Sequence, residues 1–234
     1  MPHCGIWLVG EMVNTLPSQG NIYGFEPRTS HHMNMKLTYV GFFLGIIFKE
    51  VIIMKIVMII GSMRKNSFNR QLAEYTEKMI GDRAEIQHLE YADIPFMNQD
   101  IEFPAPEAIS RVRDMVKEAD GIWFFTPEYN SSYPGVLKNL MDWLSRPLVP
   151  GDYDTVVMRN KKVAVSGVAG KSAAAGSRAK LKELLGFMNC TILEAETGIS
   201  LTPESWTSDK LVLSDEQSEH IRKQVEAFVE LVSE

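Results

Sequence analysis

The sequence predicts an α/β domain built on a doubly wound parallel sheet of five strands, in the order 2-1-3-4-5, with helices on both faces. Apolar strand-like runs alternate with amphipathic helical stretches along residues 54–234, the pattern of repeated strand-helix crossovers. Two of the runs end in polar loops, GSMRKNSFN at 61–69 and PEYNSSYPG at 127–135. In an open parallel sheet, ligands bind outside the carboxyl ends of strands where the winding reverses, so two such loops imply one shared site at a switch point.

Strands are expected at 55–60 (KIVMII), 85–89, 121–125 (GIWFF), 162–166 and 191–196. Helices are expected between them at 67–80, 106–119, 135–145 and 173–188, and a final helix at 214–232 places Ile221, Val225, Phe228, Val229 and Val232 at helical spacing. The Pro147, Pro150 and Gly151 cluster makes 146–161 a long loop expected near the ligand, and 199–213 reads as a second irregular stretch.

The first polar loop has the chemistry a terminal phosphate needs. Gly61 permits a sharp turn after the strand, Ser62, Ser67 and Asn69 supply neutral donors, and Arg64 adds a cation matched to phosphate oxygens. A helix starting near Ser67 would aim its N-terminal amides at the same volume. A plain N-cap role explains Ser67 or Asn69 as readily. The loop lacks the second and third glycines of G-x-G-x-x-G and the Gly-Lys-Ser/Thr of a P-loop, so neither of those routes to a nucleotide is expected.

The second loop suits a flat aromatic ligand. Pro127 ends the strand, Tyr129 offers a stacking face, and Asn130 together with the amides of Glu128 and Tyr129 can hydrogen-bond the edge of a heteroaromatic ring. Pro134 then restarts the chain as a helix. The plainer alternatives are a half-buried turn tyrosine and a solvated glutamate.

GSMRKNSFN followed by PEYNSSYPGVLKNLMDW resembles the NADPH-dependent FMN reductase family, the short flavodoxin-like proteins that include FMN-containing quinone, azo-dye and chromate reductases. The resemblance runs from about Met54 to the C-terminus. It implies that Ser62, Arg64, Ser67 and Asn69 hold the FMN phosphate and that Pro127, Glu128, Tyr129 and Asn130 line the isoalloxazine. It also implies a third cofactor loop, SGVAGKSAAAG at 166–176, contributing Ser166 and Gly167, in which Ala169-Gly170 stands where the family often has a glycine pair. The resemblance further implies a homodimer or homotetramer.

Composition agrees with a single cytoplasmic domain and one atypical segment. The net charge of −6 argues against nucleic acid or an anionic membrane as partner. Two cysteines, Cys4 and Cys190, form no CxxC motif and no metal-spaced cluster, which argues against a disulfide framework or structural zinc. Residues 1–53 read differently from the rest, with balanced charge and an apolar stretch at 37–48 that is short of the roughly 20 residues a membrane helix needs. They read either as a weakly structured extension or as translated sequence upstream of a start at Met54, and the second is the expectation.

The expected function is therefore an oxidoreductase carrying reducing equivalents from NADPH or NADH through bound FMN to a small acceptor such as a quinone, an azo compound or free flavin. Flavin N5 would carry the chemistry, with no catalytic side chain and no metal. His88 and His220 read as structural, and Trp143 as core or interface. The alternative is a flavodoxin-like electron carrier or a redox sensor without substrate turnover.

Overall fold

A strand buried on both faces must lie inside a sheet that is covered by helices on each side. Strand β1 (Lys55–Ile60) is buried at every position after Lys55, and β3 (Gly121–Thr126) at every position. The computed structural model describes residues 54–234. In it β1 pairs in parallel with β3 and with β2 (Glu85–His88), and β3 pairs with β4 (Lys162–Ala169), which pairs with β5 (Thr191–Ile192). The order is β2-β1-β3-β4-β5, as the alternation predicts. The expectation for residues 1–53 lies outside the described residues.

Alternation along the strands sends their side chains into two cores. Val57 and Ile59 of β1, with Ile122 and Phe124 of β3, face helices α2 (Glu107–Glu118), α3 (Gly135–Leu144) and α4 (Ala175–Phe187). Ile56, Met58 and Ile60, with Trp123 and Phe125, face α1 (Phe68–Ile80) and the C-terminal helix α6 (Asp215–Ser233). Leu137, Leu140, Met141 and Leu144 of α3 are all buried, so that stripe packs on the sheet. Trp143 is also core, with its indole N–H donating to the carbonyl of Pro95 at 2.9 Å.

Two sequence boundaries shift, for one reason. The fifth strand, expected at 191–196, is only Thr191–Ile192, and a further strand that was not expected, β6 (Thr197–Ser200), follows it and also pairs with β4. With β6 alongside, β4 continues past Ser166 to Ala169. Ser166 and Gly167, expected in a cofactor loop, are thus ladder residues of β4. The Ser166 hydroxyl accepts from the Trp123 indole at 3.0 Å and donates to Gln224 of α6 at 2.8 Å, inside the core. The irregular stretch after β6 contains a short helix, α5 (Pro203–Ser208), capped by Thr202 with Pro203 in its first turn.

Gly167 has a packing reason to be glycine. A Cβ there would lie 2.7 Å from the Thr126 carbonyl oxygen and 2.7 Å from the Ala174 Cβ, and neither can swing aside. Gly167→Ala is expected to cost about 1–3 kcal/mol in urea unfolding, the range for overpacking a fitted interior. A variant as stable as the parent would show that β4 and α4 can part at this point.

Candidate active site

The site is assembled where β1, β3 and β4 end. Gly61 donates to the Phe125 carbonyl at 2.8 Å, carrying the β1–β3 pairing one residue into the loop. A Cβ on Gly61 would meet Leu137 and Pro127 at 3.3 Å, so glycine lets the first two loops close on each other. After it the chain turns, with the Ser67 amide donating to the Arg64 carbonyl at 3.1 Å. Ser67 caps α1 by accepting from the Asn69 amide at 3.2 Å. Among the described residues, the amides of Met63, Lys65, Asn66 and Phe68 donate to no protein acceptor. They are available to an anion together with the positive end of the 13-residue helix.

The one arginine here is already engaged. Arg64 donates to Asp209 at 2.8 Å and lies over the Phe68 ring at 5.1 Å. Asn66 donates to the same carboxylate at 2.6 Å. The hydrogen bonds from Arg64 and Asn66 hold the Asp209 carboxyl below its ordinary range. Among the described residues, Nη1 and Nε of Arg64 have no hydrogen-bond partner.

The second loop is a tight turn. Tyr129 and Ser132 exchange two backbone hydrogen bonds, 2.9 and 3.1 Å, across Asn130 and Ser131, both with positive φ. Asparagine tolerates that conformation better than most side chains. Glu128 is turned the other way, accepting from the amides of Gly176 at 2.7 Å and Ser177 at 3.1 Å at the start of α4. Burial alone would raise its pKa. The Ser177 and Gly176 amides, the Ser172 hydroxyl and the Arg178 charge outweigh that and leave it below the usual carboxylate value.

Asn69 ties the first loop to the third. Its side-chain amide donates to the Val168 carbonyl at 3.1 Å and accepts from the Val168 amide at 2.9 Å. The carboxamide thus stands in for a neighbouring strand's peptide group at the end of β4. Both residues are buried.

Together these segments enclose a cavity of about 460 Å³, within the range of small-molecule sites. Ser62, Arg64, Ser67 and Asn69 lie at one side, Pro127, Glu128 and Tyr129 at another, and Val168 to Gly170 of the third loop complete the frame. The fold brings seven of the ten residues singled out from sequence to this cavity. Asn130 sits at the exposed turn tip, and Ser166 and Gly167 lie deeper in β4. Phe68, Leu201, Trp206 and Asp209 also line it and were not anticipated. Thr202-Pro203-Glu204 is a readable helix start, though nothing in it points to this cavity. Neutral hydroxyls, free amides and a helix N-terminus beside flat Tyr129 and Pro127 faces suit a ligand with a phosphate at one end and a planar ring system at the other, as FMN has. The segment 146–161, expected near the ligand, contributes nothing to the cavity.

The family model for NADPH-dependent FMN reductase matches residues 54–202. A quinone reductase of Pseudomonas putida is 30% identical over 179 residues, covering 76% of this chain and 94% of that relative. A 2-hydroxy-1,4-benzoquinone reductase of Burkholderia sp is 38% identical over 94 residues, covering 40% of this chain and 51% of that relative, about half its length. Among solved structures, the flavoenzyme NAD(P)H:(acceptor) oxidoreductase from Paracoccus denitrificans superposes with a TM-score of 0.69 at 31% identity, covering 77% of this chain and 98% of that one.

Two substitutions test the frame. Asn69→Ala strands the buried amide and carbonyl of Val168 and is expected to cost about 2–3 kcal/mol in unfolding without cofactor, with Asn69→Asp in between because it still accepts. Equal stability of Asn69→Ala and the parent would remove the tie from the account. Glu128→Gln is expected to cost about 1–2 kcal/mol at pH 7. Because the folded pKa of Glu128 is lowered, its contribution is complete above the ordinary carboxylate range and fades as pH falls through the lowered value. The gap between parent and variant should therefore begin to narrow as pH falls below about 4, where the unfolded carboxylate starts to protonate, and keep narrowing on further acidification. A gap that does not change with acidification would mean the charge is not what matters.

Proposed function

Because the chain belongs to the NADPH-dependent FMN reductase family, we propose that it is an NAD(P)H-dependent FMN oxidoreductase that reduces quinones. The observation that carries this reading is the cavity itself, where phosphate-type donors of the β1 loop and flat faces of the β3 loop meet at the carboxyl ends of adjacent strands. When bound, FMN supplies hydride acceptance from a reduced nicotinamide and electron delivery to an acceptor. The protein's part is to hold, orient and enclose.

Ser62, Ser67 and the loop amides bind the phosphate at the N-terminus of α1. Arg64 adds charge, partly compensated by Asp209. Asn69 lines the cavity and keeps the β1 and β4 loops at a fixed separation, while Pro127 and Tyr129 carry the ring. Glu128 positions the β3 loop from behind by capping α4.

No helix among the described residues is long and apolar enough to cross a membrane, and the working location in this reading is the cytoplasm. The working form is a homo-oligomer, supported by the exposed apolar side chains of Val149, Tyr153 and Phe187.

The test is a titration of the purified full chain with FMN and riboflavin, followed by NADPH and NADH oxidation with 1,4-benzoquinone. FMN is expected to bind about ten- to a hundredfold more tightly than riboflavin, the worth of one or two charge-assisted contacts, and to support turnover. Equal affinity for the two flavins would displace the phosphate assignment, and failure to bind either would sink the reading. Sedimentation of the same preparation should give a mass of at least two chains.

A further inference from the structure

A second recess adjoins the cofactor cavity and has the opposite character. It measures about 460 Å³ and is lined by Met63, Phe96, Tyr129, Pro134 and Val136, with Arg64 at its rim. Arg64 and Tyr129 border both spaces. Met63, Phe96, Tyr129 and Val136 are 47%, 85%, 53% and 40% exposed, from three loops and the first turn of α3. Each leaves apolar area in water that a bound apolar molecule would remove.

The charge pattern narrows the occupant. Arg64 is the only charged side chain on the recess lining, and its guanidinium is held by Asp209 at 2.8 Å. A dinucleotide carries a diphosphate that would find one compensated cation here, and a sulfonated or carboxylated acceptor fares no better. A flat uncharged ring system gains from every wall. Gly135, at the start of α3, borders the same space, and a Cβ built on it meets no atom within 4 Å. At about 460 Å³ and open beside Gly135, the recess is large enough for two fused rings.

We infer that this recess is the acceptor site and that Phe96 and Met63 set its specificity, favouring uncharged quinones of two fused rings over single-ring quinones and over anionic ones. The inference rests on the flavoenzyme reading above. In the overall step the quinone gains two electrons and two protons to become the hydroquinone. Both electrons and one proton originate as the hydride of NAD(P)H, and the second proton comes from solvent. A quinone seated between Tyr129 and Phe96 lies beside the cofactor cavity, with which the recess shares Arg64 and Tyr129.

The experiment is steady-state kinetics on the FMN-loaded full chain with 1,4-benzoquinone, 1,4-naphthoquinone and 1,2-naphthoquinone-4-sulfonate, and with ferricyanide as an acceptor that needs no apolar seat. The parent should show its lowest KM for 1,4-naphthoquinone. Phe96→Ala should raise that KM about tenfold, by loss of one aromatic wall, with kcat at saturation held within about twofold and FMN affinity unchanged. Gly135→Leu, which projects into the open part, should penalise naphthoquinone more than benzoquinone. Phe96 is so exposed that its removal cannot unfold the domain. Quinone KM values that neither variant moves would overturn the inference. So would a sulfonated quinone used as well as naphthoquinone, or a Phe96→Ala chain whose sedimenting mass falls, which would identify the cover as a second copy. If the parent turns over ferricyanide while these results go the wrong way, the acceptor assignment alone is lost; if it turns over nothing, the flavoenzyme reading falls with it.

Discussion

The two hydrogen bonds between the Asn69 side chain and the Val168 backbone hold the site in being. β1 and β4 are separated in the sheet by β3, and nothing in the strand ladder itself links the loops that follow them. A carboxamide has one donor and one acceptor face at the spacing of a peptide group, so asparagine at the second position of α1 can complete a strand end as another strand would. Both partners are buried, which makes the bonds hard to give up and the loop separation correspondingly well defined. The β1 loop and the end of β4 are thus joined directly, side chain to backbone, across the position of β3.

Electrostatics within that frame are arranged so that an acidic chain can receive an anion. Two carboxylates lie on the cavity lining, and each is committed elsewhere: Glu128 to the amides that begin α4, Asp209 to Arg64 and Asn66. Neither is left as an unpaired negative charge facing the phosphate. The Arg64 charge is partly compensated by Asp209, so in the proposed binding mode hydroxyls, amides and the α1 terminus share the work of holding a phosphate. Such donors match phosphate geometry closely and depend less on ionic strength than a lysine cluster would.

What was legible from the sequence was whatever a strand or loop decides locally. KIVMII and GIWFF read as strands because fully buried parallel strands are continuous apolar runs, and the two polar loops read as ligand loops because of their position after those runs. The full length of β4 was not legible, since it continues past Gly167 only where β6 pairs beside it, and β6 lies some 30 residues later in the chain. Ser166 illustrates the consequence: a serine in a glycine-containing run looks like a loop donor, yet here it joins Trp123 to Gln224 in the core. Trp206 and Asp209 were missed for the same reason, because only the folded chain brings the α5 region against Phe68 and Arg64.

The division between the two spaces beside Tyr129 follows from the same local chemistry. On the cavity side, polar donors oriented by caps and turns are what a phosphorylated ligand would use in the proposed binding mode. On the recess side, Phe96, Met63 and Val136 offer area without hydrogen bonds, and such walls hold a ligand by shape and size with modest discrimination among similar rings. A resident cofactor and an exchanging acceptor make opposite demands on residence time. In the proposed arrangement, placing the hydrogen-bonding loop and the apolar walls on either side of one tyrosine lets a single crevice meet both demands, with the Arg64 charge partly compensated by Asp209.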